Sequence, residues 1–241
     1  MGKVVLVSSG KGGTGKTMFS VNIGAMLSNY GFKVMLIDMD IGMRNMDLYL
    51  GMENKVVYNV MDVLSGMCRI KKAMIKVDGF DNLYFMSASP RRDDRDITAL
   101  HMEVLCSKLG KYFDYIVIDA PAGIGDLFDA ALAPADKAVI VTEPEMASIR
   151  DADVTERYLR DKGIKDISLI VNKVKVDLMR SGLIPSLPVM AEIFQGDIVG
   201  IIQEDDNIHI STNQGLPIIC KKGTYIEENF KEILVRLFAD S

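Results

Sequence analysis

The chain has 241 residues, of which 49% are hydrophobic and 25% are charged, and its 28 basic and 33 acidic residues leave a net charge of −5 at pH 7. This composition is typical of a globular protein and argues against disorder. The acidic balance disfavours a general nucleic-acid coat, which needs a basic surface, and three cysteines without a CxxC pair disfavour a zinc or iron–sulfur site.

Targeting signals are weak along the whole sequence. The N-terminal apolar run Val4–Val7 is too short for a signal peptide, and nowhere do about 18 apolar residues follow one another. The unpaired cysteines are typical of a reducing compartment. We therefore expect a cytoplasmic protein, for which a peripheral position at the inner face of the cell membrane stays open.

Short apolar runs alternate with helical patterns from one end of the chain to the other. The apolar runs are continuous rather than alternating, which is typical of strands buried on both faces of a parallel sheet. They predict strands at Val4–Val7, Lys33–Asp38, Leu83–Met86, Tyr115–Asp119, Ala138–Thr142, Ser168–Asn172 and Ile198–Ile202. The fold class is therefore α/β, with a doubly wound, mostly parallel sheet flanked by helices, and residues 1–241 are expected to form a single domain.

Glycines and capping residues delimit the predicted helices. The helical segments are Thr17–Tyr30 before Gly31, Thr98–Leu109 before Gly110, Ser148–Lys162 before Gly163, and about Tyr225–Phe238. Ser148 and Asp151 have the spacing of a capping box. Residues Ser181–Pro188 contain glycine and prolines and are expected to form a loop.

The strongest motif lies directly after the first predicted strand. Gly10–Thr17 reads GKGGTGKT and fits the phosphate-loop pattern G-x-x-x-x-G-K-[ST] between a strand and a helix. Its glycines let backbone N–H groups approach phosphate oxygens, and the following helix directs its positive end to the same place. Lys16 is expected to bridge the outer phosphates, and the Thr17 hydroxyl to bind Mg²⁺.

Acidic residues follow two of the other predicted strands. Asp119 ends the run Tyr115–Asp119, where a phosphate-loop protein needs a carboxylate to support the metal ion. Asp38 and Asp40 follow the strand that begins at Lys33, and ligands of open α/β sheets lie at the carboxyl ends of strands. We expect Asp40 to orient the attacking water, and Thr17, Asp40 and Asp119 to form the metal site.

The nucleotide base is predicted from residues 172–175. Asn172-Lys173-Val174-Lys175 resembles the guanine-reading N-K-x-D pattern, but Lys175 stands where that pattern needs an aspartate. ATP is therefore preferred to GTP. Asn172 could contact adenine through its amide, which offers both a donor and an acceptor.

Several segments resemble the MinD/ParA ATPases, whose phosphate loop is a deviant Walker A motif with an additional lysine. That lysine is Lys11 in SGKGGTGKT. The resemblance covers nearly the whole chain and is closer to the MinD group than to the flagellar or partition ATPases. It is carried by the segments Asp38–Gly66, NLYFMSASPRRD (Asn82–Asp93), IVIDAPAGIG (Ile116–Gly125), TEPEMASIRDAD (Thr142–Asp153) and Gly200–Ile218.

The resemblance implies roles for individual residues. Family members form an ATP-dependent homodimer in which the additional lysine, here Lys11, reaches the phosphates of the partner subunit and acts like an arginine finger. Asn45 and Gly123 match switch positions that respond to the γ-phosphate. The implied nucleotide-binding residues are Lys11, Gly12, Gly13, Thr14, Gly15, Lys16, Thr17, Met18, Gly123 and Asn172, and the implied catalytic residues are Lys11, Lys16 and Asp40.

The same resemblance implies partners. In the family the ATP-bound dimer binds membrane, recruits the division inhibitor MinC and is discharged by an activator such as MinE. Arg150, Asp151 and Asp153 match a helix surface implicated in partner contacts, although a solvated charged face explains them equally well. The resemblance therefore predicts a slow ATPase that controls placement of the division site.

Other functions remain open at this point. A flagellar or cargo-positioning ATPase could act through protein partners without membrane binding. A DNA-bound partition ATPase is disfavoured by the net charge of −5, and a metal insertase by the lack of a thiol pair.

The C-terminal segment departs from the family pattern. Family members carry a basic amphipathic helix after their ATPase domain, which lies in the membrane interface. Here the sequence ends in TYIEENFKEILVRLFADS, whose apolar stripe is accompanied by glutamates as well as basic residues. We expect this last helix to pack against the core, and the membrane-targeting extension to be absent from the 241 residues, so that membrane binding is uncertain.

Overall fold

A computed structural model describes residues 2–90, 97–121 and 123–239. Its centre is an eight-stranded sheet with the strand order β3-β4-β2-β5-β1-β6-β7-β8, in which β3 alone is antiparallel to its neighbour. The strands are β1 (Lys3–Ser8), β2 (Val34–Asp38), β3 (Ile75–Lys76), β4 (Leu83–Met86), β5 (Tyr115–Asp119), β6 (Lys137–Thr142), β7 (Ile167–Val174) and β8 (Asp197–Gln203). The predicted doubly wound, mostly parallel α/β fold is confirmed.

Helices cover both faces of this sheet. Within the described ranges they are α1 (Lys16–Asn29), α2 (Met46–Tyr49), α3 (Val60–Leu64), α4 (Ile70–Ala73), α5 (Ala99–Leu109), α6 (Asp126–Leu132), α7 (Met146–Asp161), α8 (Val176–Arg180), α9 (Leu187–Ala191), α10 (Asp206–Asn213) and α11 (Tyr225–Phe238). Two short 3-10 helices lie at Glu53–Lys55 and Ile218–Cys220. No helix of the described chain combines the length and the apolar character needed to cross a bilayer.

Alternate residues of each central strand enter different cores. In β1, Val5 and Val7 pack on the side of α1 and α11, whereas Val4 and Leu6 pack on the side of α5, α6 and α7. Because both faces are buried, the central positions of such a strand are apolar on both sides. This explains why the strands read as continuous hydrophobic runs.

The last helix is part of the domain core. In α11, the side chains of Phe230, Ile233 and Leu237 are buried against the sheet, and the Phe230 ring stacks on Phe19 of α1 at 6.1 Å between centroids. Burial of one apolar stripe is the usual reason that an amphipathic helix forms. The prediction that this helix packs against the core is confirmed.

Several local predictions were wrong or incomplete. Helix α7 begins at Met146 after Glu145, so Ser148 and Asp151 lie within the helix and form no capping box. The predicted loop Ser181–Pro188 extends only to Ser186. Leu187 and Pro188 instead form the first turn of α9, a position in which proline is well tolerated. The short elements β3, α2 to α4, α6 and α8 to α10 were not predicted, because they span at most eight residues and carry little periodicity.

Candidate functional site

The phosphate loop connects β1 to α1 in a conformation that requires glycine. Gly13 and Gly15 have φ angles of 84° and 93°, which L-residues with a side chain rarely adopt. A Cβ atom on Gly15 would also lie 2.2 Å from Nδ2 of Asn172. The two glycines therefore allow the loop to curl and to pack closely against the end of β7.

The N-terminus of α1 is left without a protein cap. Its capping residue is Gly15, no N-cap side chain in the described structure accepts a hydrogen bond from the first turn, and that turn contains no acidic residue. The free N–H groups and the positive end of the helix dipole together favour an anion at this position. At α3, α10 and α11, by contrast, the side chain of the N-cap residue accepts a hydrogen bond from the first turn.

Lys16 is buried at the mouth of this loop beside two carboxylates. Its Nζ atom forms ion pairs with Oδ1 of Asp119 at 3.0 Å and Oδ2 of Asp40 at 3.8 Å, but it makes no contact of hydrogen-bond geometry with the described residues. Within the same described part of the chain, the buried hydroxyl of Thr14 also lacks a hydrogen-bond partner. Unsatisfied buried donors are costly, and the oxygens of a phosphate group would accept hydrogen bonds from both.

Asp119 joins the sheet to the first helix. Its Oδ2 accepts a 2.6 Å hydrogen bond from the Thr17 hydroxyl, and its Oδ1 accepts a 3.0 Å bond from Ser20. Ser20 was missed by the sequence analysis. Its spacing of three residues from Thr17, which places both on one face of α1, is the signal that could have found it.

Asp38, the last residue of β2, and Asp40, which follows the strand, have different environments. Asp38 is fully buried and accepts backbone hydrogen bonds from Asp40 and Met46, so it holds the start of the following loop. Burial, together with the nearby charge of Asp119, raises the pKa of Asp38 to about 7. Asp40 is more exposed than Asp38 and faces Lys16. Its partial burial raises the pKa of Asp40, and the positive charge of Lys16 lowers it by less.

Oxygen atoms at this edge of the sheet suit a magnesium ion that is shared with phosphates. Thr17 contributes a hydroxyl, and Asp40 and Asp119 contribute carboxylates. Together with Asp38 these carboxylates outnumber the ammonium of Lys16, so the site has negative charge available for a cation. No three His, Cys, Asp or Glu side chains in the described part of the chain converge as a complete metal site. Mg²⁺ needs no such cage, because it is commonly held by one or two carboxylates plus substrate phosphates and water.

Asn172 holds the phosphate loop. Its Nδ2 donates a 2.7 Å hydrogen bond to the carbonyl oxygen of Thr14, and the side chain is buried. The donor that we expected to contact adenine is therefore directed to the loop backbone. The adenine contact of Asn172 stays a prediction, and the contact to Thr14 was not foreseen because 158 residues separate the two.

Lys11 is directed toward its own chain. Its Nζ atom donates a 3.3 Å hydrogen bond to Oε2 of Glu145 and forms an ion pair with Oε2 of Glu143 at 3.2 Å, and both glutamates follow β6. The hydrogen bond to Glu143 raises the pKa of Lys11. Met18, another predicted nucleotide-binding residue, is buried in the core beside α11, and Gly12 is exposed on the loop.

The predicted switch and partner residues lie at two separate places. Asn45 precedes α2 without a side-chain capping bond, and Gly123 is exposed before α6 with a φ of 79°. On α7, Arg150 is exposed, while Asp153 forms an ion pair with Arg157 one turn later. The resemblance segments also include Arg91, Arg92, Asp93 and Ala122, which lie outside the described residues.

Asp151 brings α7 into contact with the phosphate loop. A Cβ atom on Gly10 would lie 2.4 Å from the backbone carbon of Asp151, so the loop and the helix meet with no room for a side chain. The predicted partner surface and the loop that carries Lys11 are therefore neighbours in the fold.

Comparison with known proteins identifies relatives over almost the whole chain. The protein family described as AAA domain matches residues 2–176. The septum site-determining protein MinD of Synechocystis sp. is 42% identical over 222 residues, which are 92% of this chain and 84% of that protein.

Two solved structures show the same architecture. A chain of the MinC:MinD cell division protein complex of Aquifex aeolicus is 36% identical and superposes with a TM-score of 0.89 over 99% of this chain and 96% of its own. The septum site-determining protein MinD of Pyrococcus horikoshii, complexed with Mg-ADP, is 26% identical with a TM-score of 0.86 over 97% of this chain and 95% of its own.

Proposed function

The chain belongs to the MinD family of septum site-determining ATPases, and on that basis we propose that it is an ATP-dependent dimerising switch that controls placement of the division site. The observation that carries this proposal is the buried ammonium of Lys16, which forms an ion pair with Asp119 beside the open N-terminus of α1. This arrangement suits a nucleoside triphosphate with Mg²⁺. The phosphates of such a ligand supply anionic oxygens for the Lys16 ammonium, and its metal ion supplies a cation for the carboxylates.

The residues of the site have separate roles in this proposal. Lys16 and the backbone N–H groups of Gly12 to Gly15 bind phosphate oxygens, and Thr17 and Asp119 hold Mg²⁺, with Asp119 acting through water. Asp40 positions the water that attacks the γ-phosphorus as the bond between that phosphorus and the oxygen of ADP breaks. Catalysis of this type consists mainly of positioning and charge stabilisation.

Dimerisation supplies the remaining charge. Lys11 lies on the exposed side of the phosphate loop, with a third of its side chain accessible, so a second subunit can approach it. We propose that each Lys11 reaches the phosphates of the facing subunit. A cation supplied in this way increases the rate of phosphoryl transfer by about 10³ to 10⁵ in other nucleotide hydrolases.

The test of the switch compares the wild-type chain with Lys11→Ala. We expect light scattering to report dimers with Mg-ATP and monomers with Mg-ADP for the wild type, and loss of both dimers and hydrolysis for Lys11→Ala. Lys111→Ala, which changes an exposed lysine after α5, is the matched control and keeps both properties. Dimerisation and hydrolysis that survive in Lys11→Ala would show that the lysine does not act between subunits.

We expect partner proteins and the membrane to distinguish the ATP-bound dimer from the ADP-bound protein. We propose that the ATP-bound dimer recruits an inhibitor like MinC, that an activator like MinE discharges it, and that α7 contributes Arg150, Asp151 and Asp153 to such contacts. Peripheral binding at the inner face of the membrane is tested by sedimentation with anionic vesicles in Mg-ATP and in Mg-ADP. Co-sedimentation in Mg-ATP but not in Mg-ADP supports a membrane-cycling protein. Dimers that stay in the supernatant indicate that protein partners, rather than the membrane, bind the ATP-bound state.

A further inference from the structure

Glu143 lies between two lysines at the carboxyl end of the sheet. It directly follows β6, which neighbours β1, so its side chain reaches the phosphate loop that β1 leads into. Its Oε2 lies 3.2 Å from the ammonium of Lys11, and its Oε1 accepts a 2.6 Å hydrogen bond from Lys173. Only 11% of the Glu143 side chain is accessible. Each carboxylate oxygen therefore has its own cation in a partly desolvated place.

Lys173 secures this carboxylate to the loop. Its ammonium also donates a 2.6 Å hydrogen bond to the carbonyl oxygen of Gly13, 160 residues earlier in the chain. Lys173 reaches both partners from a left-handed backbone conformation with φ 55°, where the register between β7 and β8 shifts. Such a conformation is uncommon for a residue with a long side chain and persists only when its surroundings enforce it.

The charges around Glu143 favour the ionised pair. Burial raises the pKa of Glu143, but hydrogen bonds from Lys173 and Lys11 outweigh it and lower the pKa below its ordinary value. Glu145, the second partner of Lys11, has 64% of its side chain exposed, so solvent screens that contact more strongly. Lys11 donates its hydrogen bond to Glu145, and Glu143 provides the closer and less solvent-screened carboxylate contact of Lys11.

We propose that Glu143 is a positioning residue that retains Lys11 on its own subunit and thereby raises the nucleotide and protein concentrations at which dimers form. The proposal rests on the proposed function, in which Lys11 acts on the phosphates of a facing subunit. An ammonium that is held by Glu143 must leave this carboxylate before it can reach another chain. Lys173 keeps the carboxylate in place in both states, because its contact to Gly13 does not involve Lys11.

The test removes the charge of Glu143 and measures dimerisation with a non-hydrolysable ATP analogue and Mg²⁺. Glu143→Gln is expected to lower the protein concentration at half-dimerisation about threefold to tenfold, the size expected for loss of one partly exposed charged contact. Binding of the analogue by the monomer, measured with a fluorescent derivative, should stay within about twofold, because Lys16 and the loop are unchanged. A merely structural role would instead weaken both properties.

Two variants serve as controls for this test. Glu145→Gln removes the more exposed partner of Lys11 and should change the half-dimerisation concentration by less than about twofold. Lys173→Ala removes the contact to Gly13 and should weaken analogue binding by the monomer, because the loop loses one of its anchors. Half-dimerisation of Glu143→Gln at an unchanged or higher concentration than in the wild type would overturn the proposal.

A spectroscopic measurement covers the case in which Glu143→Gln does not fold. In the nucleotide-free wild type with ¹³C-labelled lysine, the Lys11 signal should titrate at higher pH than the ordinary value of a lysine side chain. A Lys11 signal that titrates at the ordinary lysine value would refute the retaining contact. A wild type that forms no dimers with the analogue would refute the proposed function, whereas the Lys11 titration would still report the contact in the monomer.

Discussion

The hydroxyl of Thr17 donates a 2.6 Å hydrogen bond to Oδ2 of Asp119, across 102 residues of sequence. The contact links the first turn of α1 to the end of β5 and brings together two of the residues expected to hold Mg²⁺. Both groups are buried, so the bond is shielded from competing solvent. Positions 17 and 119 thus depend on each other for their orientation.

This pair predicts the effect of removing the Thr17 hydroxyl. Thr17→Ala should weaken Mg²⁺-dependent binding of an ATP analogue by about tenfold or more, because Asp119 loses a buried donor and the metal loses an oxygen. Thr17→Ser keeps the hydroxyl and should restore most of the affinity. Calorimetric titrations at low and high Mg²⁺ measure the effect, and equal affinities for the alanine and serine variants would contradict it.

The close approach of Gly15 and Asn172 predicts a backbone effect. Gly15→Ala should destabilise the fold by at least about 1 kcal/mol, since the left-handed conformation disfavours a Cβ atom and that atom would displace Asn172 from the Thr14 carbonyl. Gly12→Ala is the control, because no atom lies within 4 Å of its added Cβ. Urea unfolding measures both, and an equal loss in the two variants would show that the contact with Asn172 is unimportant.

The packing of α11 predicts a large stability effect at Phe230. Phe230→Ala should cost about 3–5 kcal/mol in the free energy of unfolding, because the ring is fully buried against Phe19 and its removal leaves a cavity. Val235→Ala on the same helix changes a side chain that is 66% exposed and should cost less than about 0.5 kcal/mol. Chemical denaturation gives both values. Similar losses for the two variants would mean that α11 is not docked through Phe230.

Asp129 predicts a pH-dependent contribution to stability. Its carboxylate accepts hydrogen bonds from the Tyr158 hydroxyl at 2.6 Å and the Lys162 ammonium at 2.7 Å, which join α6 to the end of α7. Burial raises the pKa of Asp129, but the bonds from Lys162 and Tyr158 outweigh it and lower the pKa below 3.8. The stabilisation is therefore present above about pH 4 and is lost as the pH falls through the lower, folded-state pKa.

Asp129→Asn measures this contribution. At pH 7 the variant should be less stable by about 0.5–1 kcal/mol, a modest value because about a third of the side chain is exposed to screening solvent. The difference from wild type should shrink as the pH approaches 2. Asp81→Asn, which removes an exposed carboxylate between β3 and β4, is the control for the loss of one negative surface charge. A difference for Asp129→Asn that stays constant with pH would exclude an ionic origin.

The amino-acid sequence by itself determined the fold class and the centre of the site. Strands buried on both faces are apolar at their central positions, so β1, β2 and β5 are visible as continuous hydrophobic runs. The phosphate loop is local, since its glycines, Lys16 and Thr17 act within one turn between a strand and a helix. The placement of Asp119 follows from the rule that the carboxyl ends of parallel strands share one edge.

The tertiary structure alone decided which distant side chains meet at this edge. Asn172 contacts Thr14, and Lys11 contacts Glu143, across more than 130 residues, and no local spacing encodes either pair. Both follow from the strand order, which places β6 beside β1 and β7 next to β6, and from the left-handed turn at Lys173. The sequence therefore determined the local chemistry that binds phosphate, while the packing of the strands decided which charges surround Lys11, because contacts between strands depend on sheet order rather than on separation along the chain.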